Sequence, residues 1–257
     1  MSICRKPVRT SLLALAVSSF LAIGCGGDND GRTTLTIGIA ASLSEPFAEI
    51  ERRYEATHDV DIVVSAAASN VIERQVIEGA PFDLVLLAAS EPMDRLDSLG
   101  LIRTGSRIDL LGNRLCVVAP PALASKILSI ADLSLPSIER IAIGSPGVPI
   151  RTYAEDAFRS YDVWDRLHPR FVYAANVRQV LDYVERGEVE CGIVYTSDAA
   201  MSKRVRIAFV VDSTRHRPIR YPAAVVGNTR GGSAAMELLE YLDGADAIFE
   251  EYGFDPL

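Results

Sequence analysis

Two apolar runs stand on either side of a polar pair in the stretch Leu110-Leu111-Gly112-Asn113-Arg114-Leu115-Cys116-Val117-Val118-Ala119-Pro120. Each run is short, aliphatic and bounded by a turn-forming residue, which is typical of a buried β-strand. The polar pair Asn113-Arg114 interrupts the alternation of strands and helices found in the residues before it. We therefore interpret the stretch as the place where the chain leaves one α/β lobe and enters a second one.

Short apolar strands and amphipathic helices alternate on both sides of this crossing, which predicts an α/β fold with mostly parallel sheets flanked by helices. Before the crossing, the pattern predicts strands at 34–40, 61–65 and 83–88 and helices at 45–56, 70–78 and 92–99. After it, the pattern predicts strands at 141–143, 171–174, 192–195, 205–211 and 223–226, and helices at 151–160, 177–186 and 233–252, the last one interrupted near Gly244.

Two lobes follow from this repetition of the pattern. We predict that lobe I consists of residues 34–112 and 223–257, and that lobe II consists of residues 113–222. A ligand cleft is expected between the lobes, because ligands bind at domain interfaces and near the carboxyl ends of parallel strands.

The composition excludes several classes of protein. The chain has 257 residues, 49% of them hydrophobic and 23% charged, which is the range of ordinary globular domains. Its formal net charge of -8 argues against a nucleic-acid partner, which needs a clustered basic face. The sequence contains no nucleophile elbow, no paired carboxylates with a histidine partner and no phosphate-binding loop of the Gly-x-x-x-x-Gly-Lys kind. We therefore expect no enzymatic activity.

The first residues of the chain predict export. Three basic residues precede an apolar run at 11–23, which predicts a signal peptide at 1–24. The tetrapeptide Ala22-Ile23-Gly24-Cys25 resembles a bacterial lipobox, so Cys25 is a candidate for lipidation, with ordinary signal cleavage as the alternative. Residues 25–33 are then expected to form a flexible tether. The apolar run is shorter than the about 20 residues of a membrane span, so contact with a membrane is expected only through the lipid anchor.

The remaining cysteines and the histidines do not indicate a metal site. Cys116 and Cys191 lie in strand-like apolar runs, and we interpret them as buried thiols. A disulfide between them stays an alternative in an exported protein. The three histidines are scattered, without the short spacing that metal ligands show.

Small and hydroxyl residues end three of the predicted strands, at 40–44, 67–70 and 144–149. In one interpretation, Ser42 and Ser69 cap the helices that follow. In the other, hydroxyls and unpaired amides at converging helix starts hold an anion without a formal charge. Residue spacing alone leaves both interpretations open.

A set of short motifs occurs in order over nearly the whole chain that follows the predicted signal peptide. Together they resemble the periplasmic molybdate-binding proteins of ABC importers, which have a two-lobed type II solute-binding fold. The motifs are Ala40-Ala41-Ser42-Leu43, Arg74-Gln75, Glu78-Gly79-Ala80-Pro81-Phe82-Asp83-Leu84, Leu111-Gly112-Asn113-Arg114-Leu115, Val184-Glu185-Arg186-Gly187-Glu188, Gly192-Ile193-Val194-Tyr195, Ser197-Asp198-Ala199, Tyr221-Pro222-Ala223, Ile248-Phe249-Glu250 and Tyr252-Gly253-Phe254.

The resemblance implies an exported, monomeric protein that captures molybdate or tungstate as an oxyanion, needs no cofactor and works with the permease of an ABC importer. It also implies a ligand shell of two serines, two backbone amides and a tyrosine. Carried over by motif, these are Ser42 and Ser69, the amides of Ile150 and Val177, and the hydroxyl of Tyr195. Binding of another oxyanion or of a small organic anion is the alternative.

The turn at 145–151 departs from the family pattern, because it is one residue shorter. The register of the Ile150 amide therefore stays open. Arg151 either reaches the mouth of the cleft, where it would add a charge, or faces solvent from the first turn of its helix. Asn70 replaces a glycine-like position beside Ser69, where it either crowds the site or adds a donor.

Overall fold

The computed structural model describes residues 32–229 and 231–257. The predicted signal peptide at 1–24, the candidate lipidation site Cys25 and most of the predicted tether lie outside these residues. Within them, no helix combines the length and the apolar character needed to cross a membrane.

The strands and helices follow the predicted alternation. The strands are β1 (Thr33–Ala40), β2 (Val60–Ala67), β3 (Leu84–Leu86), β4 (Ile108–Gly112), β5 (Leu115–Ala119), β6 (Ile141–Gly144), β7 (Phe171–Ala174), β8 (Cys191–Tyr195), β9 (Arg206–Val210), β10 (Arg220–Val225) and β11 (Asp255–Pro256). The α-helices are α1 (Ser44–Glu55), α2 (Ser69–Ile77), α3 (Ser90–Ser98), α4 (Pro121–Ala124), α5 (Pro149–Ser160), α6 (Trp164–Leu167), α7 (Val177–Glu185), α8 (Thr196–Met201), α9 (Gly232–Asp243) and α10 (Asp246–Glu251).

The strands form two separate sheets, one in each lobe. The first has the order β11-β4-β10-β3-β1-β2 and the second the order β7-β6-β8-β5-β9. The chain passes from the first sheet to the second between Gly112 and Leu115, where the sequence pattern places the crossing. It returns between β9 and β10. The predicted lobe boundary after residue 222 falls inside β10, whose first residues already pair with β4.

The expectation of mostly parallel sheets was wrong, because both sheets are mixed. Parallel pairs join β1 to β2 and β3, and β6 to β7 and β8. The pairs made by β10 with β3 and β4, by β11 with β4, and by β5 with β8 and β9 are antiparallel. A parallel neighbour needs a crossover connection such as a helix. The strands that follow the two passages between the lobes, β5 and β10, enter their sheets without such a helix. They therefore run antiparallel to their neighbours.

Two glycines let the helices of the second lobe pack closely on its sheet. A Cβ at Gly144, at the end of β6, would stand 2.8 Å from Ile150 Cγ2. A Cβ at Gly192 in β8 would stand 2.8 Å from Val184 Cγ2 and 2.9 Å from Val180 Cγ1. These close approaches fix the start of α5 and the position of α7 against the strand ends.

The two cysteines of the second lobe are free and buried, which confirms their interpretation as buried thiols. Burial raises the pKa of Cys191 to about 12 and also raises the pKa of Cys116. Both thiols therefore stay protonated and unreactive at neutral pH.

Candidate functional site

One cavity lies where strand ends and helix starts of the two lobes meet. All five residues carried over by motif line it. The lining residues are Ala40, Ala41, Ser42, Ala67, Ala68, Ser69 and Ala88 from the first lobe and Val148, Pro149, Ile150, Val177 and Tyr195 from the second. The structure thus brings together predicted site residues that are up to 153 positions apart in the chain, the span from Ser42 to Tyr195.

Each predicted site residue lies at the start of a helix. Ser69 is the first residue of α2 and Val177 the first of α7, while Ile150 is the second residue of α5. Ser42 lies in a 3-10 turn, Ala41–Leu43, that leads into α1, and Tyr195 immediately precedes α8. The first N–H groups of a helix have no acceptor within it and carry the positive end of its dipole. The N-terminal ends of α2, α5 and α7 therefore direct partial positive charge toward the cavity.

Ser69 does not cap its helix. The helix begins at Ser69 itself, after Ala68, and has no side-chain cap. Instead, the Ser69 hydroxyl oxygen accepts a hydrogen bond from the backbone N–H of Ala88 at 2.8 Å. A backbone N–H can only donate, so the Ser69 proton remains for a group in the cavity.

Ser42 does not act as a cap either. The residue before α1 is Leu43, and neither α1 nor the turn before it has a side-chain cap. The Ser42 hydroxyl is buried and shares a hydrogen bond with the hydroxyl of Tyr221 at 3.1 Å. The capping interpretation was therefore wrong for both serines, because their hydroxyls bond to the Ala88 backbone and to Tyr221 and not to the first turn of the adjoining helix.

The hydroxyl of Tyr195 is buried and, among residues 32–229 and 231–257, has no hydrogen-bond partner. Burial raises the pKa of Tyr195 far above its ordinary value, so the hydroxyl keeps its proton. The rings of Tyr153 and Tyr221 pack edge-on against this tyrosine, with centroids 6.3 and 5.8 Å away. A buried donor without a partner is costly, and a ligand oxygen in the cavity would satisfy it.

Ile150 lines the cavity from the first turn of α5, but Arg151 takes neither of the two positions expected for it. Its guanidinium carbon lies 4.9 Å from the ring centroid of Trp164 and 5.2 Å from that of Tyr173. Its Nε lies 3.6 Å from Glu155 Oε2. Arg151 is thus half-buried and lies away from both the cavity and bulk solvent. The faces of the Trp164 and Tyr173 rings attract its positive charge.

Asn70 is absent from the cavity lining as well. It lines an adjoining groove between the lobes, together with Gly147, Thr152 and Arg217. A Cβ at Gly147 would stand 3.2 Å from Asn70 Nδ2, so the shortened turn at 145–151 packs against this asparagine. Neither expectation for Asn70, crowding of the site or an added donor, holds at the cavity itself.

The cavity is small and its lining is electrically neutral. The volume open to the centre of a water-sized sphere is about 20 Å³, and by that measure one water needs about 10 to 15 Å³. Of the described residues, those that line the cavity include no acidic or basic side chain. The space therefore suits a compact ligand, and the protonated hydroxyls and free amides around it suit one that only accepts hydrogen bonds.

Arg178 joins the two lobes beside the cavity, a contact that the sequence analysis missed. From α7, its Nε and Nη2 donate to the backbone carbonyls of Ala41 and Ser42, both at 3.3 Å, and its guanidinium also bonds to the Glu45 carboxylate. Its Nε lies 3.2 Å from Oδ1 of Asp198, which is fully buried. Burial raises the pKa of Asp198 to about 6, while Arg178 acts in the opposite direction.

Arg217 joins the lobes on another side of the cleft. It donates to the Asp156 carboxylate in α5, with Nε at 2.6 Å from Oδ2, and it also bonds to Glu91 in α3. The hydroxyl of Tyr153 adds a third bond between the lobes, to the carbonyl of Ala88 at 3.3 Å. The two lobes are therefore bonded to each other on more than one side of the cavity. Sequence patterns offered no signal for these contacts, since each joins residues at least 61 positions apart.

Comparison with known proteins agrees with this architecture. Residues 35–255 match the family model of the bacterial extracellular solute-binding proteins. The chain is 35% identical over 254 residues to "Putative ABC transporter substrate-binding lipoprotein YvgL" of Bacillus subtilis (strain 168), covering 95% of this chain and 97% of that protein. It is 37% identical over 251 residues to the molybdate-binding protein ModA of Escherichia coli (strain K12), covering 95% and 96%.

A solved structure supports the fold. The periplasmic molybdate-binding protein of Azotobacter vinelandii superimposes with a TM-score of 0.77 at 19% identity, covering 86% of this chain and 98% of that chain. The two lobes, their mixed sheets and the cleft between them are those of a type II binding protein. The family match and the identities above show an extracytoplasmic binding protein and not an enzyme. The chain belongs to the bacterial extracellular solute-binding proteins.

Proposed function

We propose that this protein captures molybdate or tungstate as a tetrahedral dianion and delivers it to the permease of an ABC importer. The observation that carries the proposal is a cavity lined by hydroxyl residues and helix starts and, among the described residues, by no charged side chain. Ser69 has a free hydroxyl proton, Tyr195 has a buried hydroxyl without a partner, and first-turn amides of α5 and α7 have no acceptor in their helices. Dry, fixed dipoles of this kind stabilise an anion without a formal positive charge.

Ligand chemistry limits the candidates. A fully deprotonated oxyanion only accepts hydrogen bonds, so it suits a site that only donates. Hydrogen phosphate carries a proton that needs an acceptor, and leaving that proton unpaired in a buried site costs roughly 1 to 3 kcal/mol. Sulfate has the same charge and shape as molybdate but is smaller, so the fit of the closed cavity would have to discriminate between them. The proposal requires no cofactor.

The curated relatives support the same ligand class. The relative that is 37% identical over nearly the whole chain is named a molybdate-binding protein. Tungstate is kept with molybdate because the two anions have the same charge and geometry and nearly the same size.

We further propose that Cys25 carries a lipid anchor and that the protein acts as a monomer on the outer face of the membrane. The lipobox-like tetrapeptide that ends at Cys25 supports the anchor. The relative that is 35% identical carries the word lipoprotein in its name. Mass spectrometry of the detergent-extracted protein tests this directly, since a chain that begins after residue 24 without a diacylglyceryl mass would exclude the anchor.

Thermal unfolding with matched concentrations of molybdate, tungstate, sulfate and phosphate tests the ligand. A ligand at about 100 times its dissociation constant should add about 2.7 kcal/mol to the free energy of unfolding. We expect a large upward shift of Tm with molybdate and tungstate and little with phosphate. A shift with sulfate alone, or with small organic anions added as a further series while molybdate and tungstate give none, would keep the binding class and reject the ligand.

A further inference from the structure

A chain of buried hydrogen bonds runs from the crossing between the lobes to the cavity. Asn113, which follows β4, donates from Nδ2 to the hydroxyl oxygen of Tyr221 at 3.3 Å. The Tyr221 hydroxyl lies 3.1 Å from the hydroxyl of Ser42, which lines the cavity. All three residues are buried, and Asn113 and Tyr221 are absent from the cavity lining. We call this arrangement the Asn113–Tyr221–Ser42 chain.

The orientation of the Asn113 amide is fixed by a group that can only donate. The backbone N–H of Arg114 donates to Asn113 Oδ1 at 2.8 Å, and the Thr196 hydroxyl donates to the same oxygen at 3.1 Å. The amide oxygen must therefore face Arg114. The NH₂ group consequently faces Ser197 Oγ, at 2.8 Å, and Tyr221.

This orientation sets the direction of the protons that follow. Among the described residues, Asn113 and Ser42 are the hydrogen-bond partners of the Tyr221 hydroxyl. Because Asn113 donates to it, Ser42 is the acceptor available for the Tyr221 proton. Burial raises the pKa of Tyr221 far above its ordinary value, so that proton is retained. The Ser42 oxygen then accepts from Tyr221, and the proton of Ser42 is left for the cavity.

We propose that Asn113 and Tyr221 are positioning residues that hold Ser42 as a hydrogen-bond donor to the ligand, and thereby favour fully deprotonated oxyanions over protonated ones. The inference rests on the proposed function of the cavity. Neither residue touches the ligand space. Their effect is to prevent the Ser42 hydroxyl from rotating and presenting a lone pair to the cavity, which is the arrangement that a protonated anion would need.

The isosteric substitution Asn113→Asp should reverse the direction of the hydrogen bonds in the Asn113–Tyr221–Ser42 chain. A carboxylate at 113 accepts from Tyr221, the Tyr221 oxygen then accepts from Ser42, and Ser42 turns a lone pair toward the cavity. At about pH 9.5, above the values documented for buried carboxyls, we expect N113D to weaken molybdate binding roughly 10- to 100-fold. Binding of inorganic phosphate should weaken less or strengthen, so the ratio of the two dissociation constants measured by calorimetry should fall.

The Tyr221→Phe background separates this effect from the added negative charge. Without the Tyr221 hydroxyl the chain is broken, and Ser42 is free to donate whatever stands at 113. We therefore expect N113D to cost less than about threefold in molybdate affinity in the Y221F background. Equal losses in both backgrounds would assign the effect to charge and overturn the proposal, and so would the absence of any loss in the wild-type background.

Proton positions provide a readout that needs no ligand and no variant. Neutron diffraction from deuterated crystals of the ligand-free protein should place the Tyr221 hydroxyl deuteron toward Ser42 Oγ. A deuteron on Ser42 directed at Tyr221 would overturn the proposal. If the wild-type protein binds no oxyanion, the proposed function fails, and the neutron map still decides whether the Asn113–Tyr221–Ser42 chain exists.

Discussion

The Tyr195 hydroxyl combines two properties that are rarely found together in a folded protein, since it is buried and has no partner among the described residues. An unpaired buried donor destabilises the ligand-free protein, and it becomes favourable only when a ligand oxygen accepts from it. Its effects on stability and on binding should therefore have opposite signs.

Tyr195→Phe should weaken molybdate binding roughly tenfold or more while leaving the ligand-free protein as stable as the wild type or slightly more stable. Titration calorimetry and urea unfolding measure the two effects. Tyr153→Phe is the matched control, because the Tyr153 hydroxyl does have a partner, the Ala88 carbonyl at 3.3 Å. It should lower the free energy of unfolding by about 1 kcal/mol. Similar losses of stability in both variants would contradict this account of Tyr195.

Asp198 predicts an unusual pH dependence of stability. Burial raises its pKa in the folded protein from 3.8 to about 6, so between these values the folded state binds more protons than the unfolded state. The free energy of unfolding contributed by this group therefore falls as the pH rises from about 4 to about 6.

Asp198→Asn removes this titration and serves as the baseline. Urea unfolding of both proteins between about pH 4 and pH 8 should show the wild type gaining stability relative to D198N as the pH falls. A difference that is constant over this range, or one that shrinks toward acid, would show that Asp198 does not carry the raised pKa.

At the scale of single helices, α7 contributes both to the cavity and to its closure. Its first residue, Val177, lines the cavity. The next residue, Arg178, bonds across the cleft to the 3-10 turn that contains Ser42 and to Glu45 in α1. One helix start thus holds the two lobes together at the point where the ligand is expected to bind. This contact should slow ligand release.

Glu45→Gln should speed the dissociation of molybdate about two- to fivefold in stopped-flow experiments, as expected for a partly exposed ion pair. The matched control is Glu49→Gln on the same helix, because Glu49 pairs with Arg52 and Arg53 of that helix. It should leave the dissociation rate unchanged. Equal rates for E45Q and the wild type would show that the contact is incidental to release.

At the scale of the whole molecule, two crossings and several bonds between the lobes define the movement available to the protein. The covalent connections lie between Gly112 and Leu115 and between β9 and β10, while Arg178 and Arg217 bond across the cleft at other places. If the bonds of Arg178 and Arg217 break while the two covalent connections stay unchanged, one lobe can rotate away from the other. Opening of this kind would expose the cavity and allow a ligand to enter.

Spin labels on the two lobes can test this movement. Leu99 and Leu128 are exposed, at 54% and 74%, and lie in different lobes. Cys116 and Cys191 are buried thiols with raised pKa values. In protein produced without residues 1–25, and hence without Cys4 and Cys25, labels should therefore attach selectively to Leu99→Cys and Leu128→Cys. We expect molybdate to narrow the measured distance distribution, and a distribution that does not respond to a bound ligand would exclude closure of the lobes on binding.

The sequence by itself determined the parts that depend on local pattern. Apolar periodicity predicted the major strands and helices and the break near Gly244. The interruption at Asn113-Arg114 lies where the chain passes from one sheet to the other. The ordered motifs indicated the family, and the cavity lining brings together the five residues that those motifs nominated. Their role in ligand binding stays a prediction. Elements as short as α4, α6 and β11 escaped detection because a few residues carry too little periodicity.

The tertiary structure decided everything that depends on distant partners. The direction of β5 and β10 in their sheets, the position of Arg151 between aromatic rings and the bonds of Arg178 across the cleft have no local signature. Ser42 and Ser69 illustrate best what local sequence cannot predict, because hydroxyl residues near a helix start suggest caps. The backbone of Ala88 and the hydroxyl of Tyr221, 179 residues from Ser42, instead orient them toward the cavity. A hydroxyl proton follows its strongest available partner, and only the folded chain determines which partner that is.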